Sequence, residues 1–261
     1  MKFSELAKYQ DGKGLIVSSR HESWMAKNAN PHYSAEALSF GHQQLLLQSN
    51  QRDRRGTISS SSLSSCQRRQ QFTFLGMPEL PPSPKLAAIF QTGTFMHIRW
   101  QMAGLTAGWL SEAEVPIGKN TYELSGTMDG VLDEDSVLEL KSCNSNSFRR
   151  VLSFGPLEGH LFQVGTYVLT TGREKGVLIY EDKDTQEFKE FVFPRAELPL
   201  IEIEFGAKLL WQRITAEQLV EPLDECLAKS GKYLGCPFRD NCLKIRSWEE
   251  ASDLADSSRA T

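Results

Sequence analysis

The stretch GTMDGVLDEDSVLELK, residues 126–141, decides how the rest of the chain is read. Its two arms are apolar, and its centre, Asp133-Glu134-Asp135-Ser136, is acidic and turn-forming, which predicts a β-hairpin. Pairing symmetric about Glu134 sets Asp129 opposite Glu139 and Val131 opposite Val137. Side chains alternate faces along a strand, so Asp129, Glu139 and Lys141 share one face while Met128, Leu132, Leu138 and Leu140 point into a core on the other. Buried charges are costly unless they are paired or bound to metal. Two carboxylates and a lysine on an apolar hairpin therefore read as a divalent-metal site with a lysine beside it.

Upstream of the hairpin, residues 85–107 form a helix with Leu86, Ile89, Phe90, Phe95, Met96, Trp100 and Leu105 at helical spacing. His97 lies within it, either as a structural histidine or as an imidazole ligand of the kind that suits Mn²⁺. Strands are expected at 112–118 and 122–127. After Lys141, residues 142–150 (SCNSNSFRR) read as a polar loop ending in two arginines, either solvated or set to meet a phosphate backbone. Cys143 reads as a buried small residue and not a nucleophile, having no histidine near it in sequence. Residues 158–171 form a second helix with His160, Gln163 and Tyr167 along one face. Strands at 176–181 and 187–193 follow. A long helix over 196–230 then carries Phe205, Leu209, Leu210, Ile214 and Leu219 and breaks near Pro222.

Towards the N-terminus, residues 34–48 predict an amphipathic helix with Ala37, Leu38, Leu45 and Leu46 on its apolar side. His21, His32 and His42 read as surface residues. The serine-rich run 58–65 predicts a helix beginning near Ser61 and carrying Cys66, followed by the basic stretch Arg68-Arg69. Residues beyond Trp248 are small and polar and read as a frayed tail. The chain divides into an N-terminal extension (1–57), a main domain (58–243) and a polar tail (244–261).

At 261 residues with 40% hydrophobic and 24% charged side chains, the composition is that of a globular protein. The net charge of −4 provides no global attraction to nucleic acid, so such contacts would come from local basic patches. No apolar run approaches the roughly 20 residues that span a bilayer, and the first residues lack the apolar core of a signal peptide, so a cytoplasmic protein without membrane contact is expected. In that compartment five cysteines imply core residues, metal ligands or reactive thiols.

The order helix–strand–strand–strand–helix–strand, with Asp-x9-Glu-x-Lys in the middle, resembles the PD-(D/E)XK nuclease superfamily. His97 on the preceding helix and Gln163-x3-Tyr167 on the following one are similar to its RecB-like branch. Cys66, with a C-terminal group ending Cys236-Pro-x4-Cys242, resembles the iron–sulfur subgroup. That subgroup includes CRISPR-associated RecB-like exonucleases, the AddB nuclease domain and phage exonucleases. The likeness covers residues 58–243. It implies an α/β restriction-endonuclease-like core, a mixed central sheet flanked by helices, with an iron–sulfur staple joining its N- and C-terminal parts. Tyr233 stands where the subgroup has its first C-terminal cysteine, so Cys226 is the expected substitute. Cys66, Cys226, Cys236 and Cys242 would then hold a [4Fe–4S] cluster, with a Zn²⁺ site or plain cysteines as alternatives.

The resemblance further implies Asp129, Glu139, His97 and the Leu140 carbonyl as ligands of Mg²⁺ or Mn²⁺. Lys141, Gln163 and Tyr167 would complete the catalytic set. Arg68, Arg69, Arg149, Arg150 and Lys183 are candidate phosphate contacts. The expected activity is a DNA exonuclease, 5′→3′, acting on single strands or duplex ends in recombination, repair or processing. A recombination, helicase or CRISPR-adaptation protein is the partner the resemblance suggests, and any unwinding would come from a partner, since no Gly-x4-Gly-Lys-Ser/Thr loop is present. The alternatives are a non-catalytic DNA-binding or scaffold subunit, or an endonuclease or RNase of the same fold.

Overall fold

The computed structural model describes residues 16–47, 55–118, 120–132, 135–230 and 235–258. Helices α1 (Ser18–Lys27) and α2 (Ala35–Leu47) come first. Strand β1 (Ile58–Ser59) and a 3₁₀ turn over Ser60–Ser62 lead to α3 (Gln67–Leu75). The long α4 (Pro84–Ala107) starts where Ser83 accepts the Leu86 N–H and Pro84 occupies the first turn, and it stops at Gly108, whose φ is 73°. Strands β2 (Leu110–Pro116), β3 (Leu124–Ser125), β4 (Thr127–Leu132) and β5 (Ser136–Cys143) follow. Then come α5 (Ser145–Phe154), α6 (Glu158–Thr171), β6 (Lys175–Asp182), β7 (Phe188–Pro194) and α7 (Leu200–Thr215). Three shorter helices close the chain: α8 (Asp224–Leu227), α9 (Arg239–Cys242) and α10 (Trp248–Ser257).

The sheet is mixed, in the order β2-β4-β5-β6-β7, with helices on both faces. Strands β5 and β6 run parallel, which requires the crossover that α5 and α6 supply, and the other neighbours are antiparallel. In the hairpin, Gly130 pairs with Leu138 and Val131 with Val137, the register expected of a turn about Glu134, although residues 133–134 lie outside those described. Leu132, Leu138 and Leu140 pack under α4 with Met96, Trp100 and Ala103. The opposite face packs Val137, Leu178 and Phe191 against Leu161 and Val164 of α6 and Ile203 and Leu210 of α7. Met128 joins this second group and not the three leucines. Gly176 is required by that packing, since a Cβ there would lie 2.1 Å from Val164.

Several local expectations are corrected. Residues 145–154 are helical and not a loop, because the Asn144 side chain accepts the Ser147 N–H and starts a turn. The helix expected over 196–230 ends at Thr215, where Glu217 takes φ 52° and the Gln218 N–H returns to the Arg213 carbonyl at 2.8 Å. Its buried face is Ile203, Ala207, Leu210 and Ile214, while Phe205 is exposed. Cys66 sits at the N-cap of α3 and not inside a helix. The tail is no frayed end: Ser247 accepts the Glu250 N–H to start α10, and Ala251 and Ala255 bury against the α3 region with Phe72, Phe238 and Ile245.

The extension packs on the main domain through Ile16 and Val17, buried with Met96 and Trp100, and through polar and small residues. The buried Glu190 carboxylate of β7 accepts the N–H groups of Ile16, at 2.6 Å, and Ser18, at 2.6 Å, satisfying the start of α1. Helix α2 approaches α4 through Ala37 and Gly41, where an added Cβ would lie 2.6 Å from the Met102 sulfur. Leu38, Leu45 and Leu46, expected on its apolar side, are exposed. Among the described residues no helix is long and apolar enough to cross a membrane.

His21 is buried, not a surface residue, and stacks on Trp100 with ring centroids 3.6 Å apart. Burial, with the Arg99 charge nearby, lowers its pKa to about 4. A folded-state pKa below the unfolded value means that stability is whole above about pH 6.5 and drains as pH falls towards 4, by about 3 kcal/mol for this one group. Urea denaturation at pH 7.5 and 4.5 should show His21→Phe losing that much less stability than wild type on acidification. Equal losses would remove His21 from the account.

Candidate active site

Strands β4 and β5 pair at only two positions, and beyond them a side chain takes over the ladder's work. The Leu140 N–H donates to Asp129 Oδ2 at 2.6 Å. Asp129 Oδ1 lies 3.0 Å from His97 Nδ1, which α4 carries across the sheet edge. From the same helix, Gln101 Nε2 donates to the Asp129 carbonyl and to Glu114, each at 2.8 Å. Sequence reasoning missed Gln101; its place one turn after His97 on the same helix was the available signal.

Glu139 is buried, and its Oε1 pairs with the Lys141 ammonium. Lys141 Nζ also donates to Gln163 Oε1 at 2.8 Å, and Gln163 Nε2 donates to the Tyr167 hydroxyl at 2.9 Å. That hydroxyl donates to the Thr127 carbonyl at 2.9 Å, so the chain of bonds returns to β4. Gln163 and Tyr167 are one turn apart on α6, which is why both reach the same lysine-bearing face. Gly126 permits the approach: a Cβ there would lie 2.2 Å from Ser60 Oγ and 2.9 Å from the Tyr167 ring.

The electrostatics are those of mutual dependence. Burial pushes Asp129 up, yet His97 and Lys141 outweigh it and hold the carboxyl below its usual range. Burial likewise works against a charged His97, and Asp129 overcomes it, raising the imidazole. Glu139 goes the other way: burial, together with the Asp129 charge and despite Lys141, raises it to about 7. Its second oxygen, Oε2, is buried without a hydrogen-bond partner. A buried carboxylate oxygen left open beside a second carboxylate and an imidazole is a donor set that suits a hard divalent cation. Among the described residues, however, no three His, Cys, Asp or Glu side chains stand in an arrangement that holds an ion, and here His97 is paired with Asp129 and Glu139 with Lys141.

The site opens into a cleft of about 1060 Å³ lined by His97, Asp129, Lys141, Gln163, Tyr167 and Lys183, among others. Arg149 and Arg150 are exposed on α5 and outside the cleft lining, and Arg69 is half-buried on α3. Arg68 is a correction. It is buried, and its guanidinium donates to the carbonyls of Val220 (2.5 Å), Cys242 (2.9 Å) and Ile245 (2.7 Å), leaving it no face for a phosphate.

The cysteines fall in two places. Cys143 is half-buried, and burial with the Asp182 charge pushes its thiol up to about 11, so it stays protonated. Cys66, Cys226, Cys236 and Cys242 are free thiols; Cys236 and Cys242 lie in the cluster of Phe72 and Phe238, and Cys226 is near enough to Cys66 and Cys236 to feel their charge. Burial raises the Cys226 thiol, and so do Cys66 and Cys236; burial raises Cys242, with Cys226 and Cys236 adding to it. Tyr233 lies outside the described residues.

Comparison of the fold with solved structures supports this architecture. The alkaline exonuclease LHK-Exo of Laribacter hongkongensis, solved with dAMP, superposes with a TM-score of 0.53 over 63% of this chain and 91% of that one, at 18% identity. A second structure of it gives 0.52 over the same shares. SSO0001 gives 0.50 over 82% of this chain and 98% of that one, at 20% identity. The chain shares the fold of these structures, a mixed central sheet flanked by helices. Its sequence matches no protein-family model and no curated protein.

Proposed function

We propose that this protein is a metal-dependent deoxyribonuclease: an exonuclease that hydrolyses phosphodiester bonds of single-stranded DNA or duplex ends, with 5′→3′ polarity, in DNA recombination, repair or processing. The observation that carries the reading is Lys141, buttressed by Gln163, Tyr167 and the Thr127 carbonyl, beside the Asp129 and Glu139 carboxylates at the base of an open cleft. The likeness in fold to an alkaline exonuclease supports it; fold alone would not.

Asp129, Glu139, His97 and the Leu140 carbonyl would hold Mg²⁺ or Mn²⁺, which supplies charge neutralisation at the phosphate and an activated water. Lys141 would orient the attacking water and offset the negative charge that develops as the water oxygen bonds to phosphorus and the bond to the leaving oxygen breaks. Gln163 and Tyr167 fix where the lysine stands. End-labelled single- and double-stranded DNA should be degraded with Mg²⁺ or Mn²⁺ and spared in EDTA, the label position reading the polarity. No cleavage of DNA or RNA with either metal would overturn the enzyme reading.

The thiolates of Cys66, Cys226, Cys236 and Cys242 would hold a [4Fe–4S] cluster, with Zn²⁺ as the alternative occupant of a four-cysteine set. Protein purified anaerobically is expected to be brown, with absorbance near roughly 400 nm and four irons per cluster, lost in Cys226→Ser. Colourless protein with one zinc per chain would select the alternative.

A further inference from the structure

On the nuclease reading above, we infer that α2 and the first half of α4 form a base-stacking wall of the cleft, on which Phe90 receives an unpaired nucleobase of the strand being cut. Four side chains of α4, Phe90, Thr94, His97 and Gln101, make one stripe, and all four line the cleft that holds Asp129 and Lys141. Phe90 stands two turns from His97, about 10 Å along the axis. Ile89 beside it and Leu47 at the end of α2 line the same opening. Their relative exposures are 58% for Phe90, 42% for Ile89 and 56% for Leu47, so three large apolar side chains face solvent at the mouth of a polar site. Contiguous apolar surface of that kind marks a binding surface.

Charge selects the occupant. Among the described residues lining the cleft, the lysines are Lys141, already paired with Glu139, and Lys183, against the carboxylates of Glu114, Glu123 and Asp129. Binding through phosphate neutralisation, on which duplex affinity rests, is thinly provided there. Base–aromatic stacking needs no net positive charge and is indifferent to sequence because every base has a π-face. An unpaired strand offers those faces and a duplex does not. The extension thereby acquires a role: Leu47 of α2 completes a wall that α4 alone would leave narrow.

The test compares a single-stranded oligonucleotide with an abasic one of the same length, by fluorescence anisotropy in an Asp129→Asn background at low salt. Phe90→Ala should weaken binding of the normal strand about tenfold or more and leave the abasic strand unchanged, and Phe90→Trp should restore the normal strand. Because Phe90 is exposed, its variants should keep the thermal midpoint of the parent. Equal affinity of the parent for both strands, or equal loss on both in Phe90→Ala, overturns the stacking wall and leaves the nuclease reading standing. Failure of every strand to bind overturns both.

Discussion

Asp129→Ala is expected to reduce nuclease activity by about 10³-fold. The carboxylate is held below its usual range by His97 and Lys141, so it is charged across the range in which a divalent ion would bind. Alanine also orphans the buried Leu140 N–H, which now donates to Asp129 Oδ2, at a cost of about 1–3 kcal/mol. Activity loss in that variant therefore mixes chemistry with stability. Asp129→Asn separates them, because the amide oxygen still accepts the Leu140 N–H while the charge is gone. Its urea midpoint should stay near that of wild type while cleavage of end-labelled DNA disappears. An asparagine variant that cuts as fast as wild type would show that the hairpin carboxylate holds no metal.

The hairpin was legible because two independent patterns agree on it. A period of two set the faces, and an acidic turn set the centre, so the register of Gly130 with Leu138 followed from the sequence. The Gln163–Tyr167 pair was legible for a similar reason: helical spacing puts i and i+4 on one face, and the structure adds the hydrogen bonds from Lys141 through to Thr127. What failed was whatever depends on which neighbour arrives from far away in the chain. Leu38, Leu45 and Leu46 look like a core face, but α2 meets α4 through Ala37 and Gly41, because small residues allow close approach. His21 looked like a surface residue, and Trp100, 79 positions on, buries it. Capping signals were present and overlooked at Asn144 and at Ser247-x-x-Glu250, both of which start helices in stretches that read as polar coil.

Arg68 shows the same limit and carries the second large effect. In sequence it is one of two arginines in a polar run, a natural candidate for a phosphate. In the fold it is the bolt between α3 and the last third of the chain, with three carbonyl acceptors from 220 to 245. Gln71, one turn on, adds two more bonds, donating to the Gln218 carbonyl at 2.7 Å and accepting the Val220 N–H at 2.8 Å. The guanidinium also lies over the Phe72 ring, 5.1 Å from its centroid. Hydrogen bonds from a charged donor are worth more than neutral ones, and carbonyls left buried without a partner cost their full desolvation. Arg68→Met should therefore destabilise by about 3–5 kcal/mol, and Arg68→Lys by nearly as much, since one ammonium cannot reproduce the planar fork. The loss should be local first. Hydrogen exchange should rise in α9 and α10 and around Val220, where the bolted carbonyls lie, before it rises in the central sheet. Because Cys242 is one of the bolted residues and Cys66 stands two positions before the bolt, the variant should also lose the iron or zinc proposed for the four cysteines, if wild type carries it, and metal content per chain would report it. A wild-type urea midpoint in Arg68→Met, with its exchange pattern unchanged, would mean that the apolar cluster of Phe72, Phe238, Ile245, Ala251 and Ala255 holds the C-terminal segment without help.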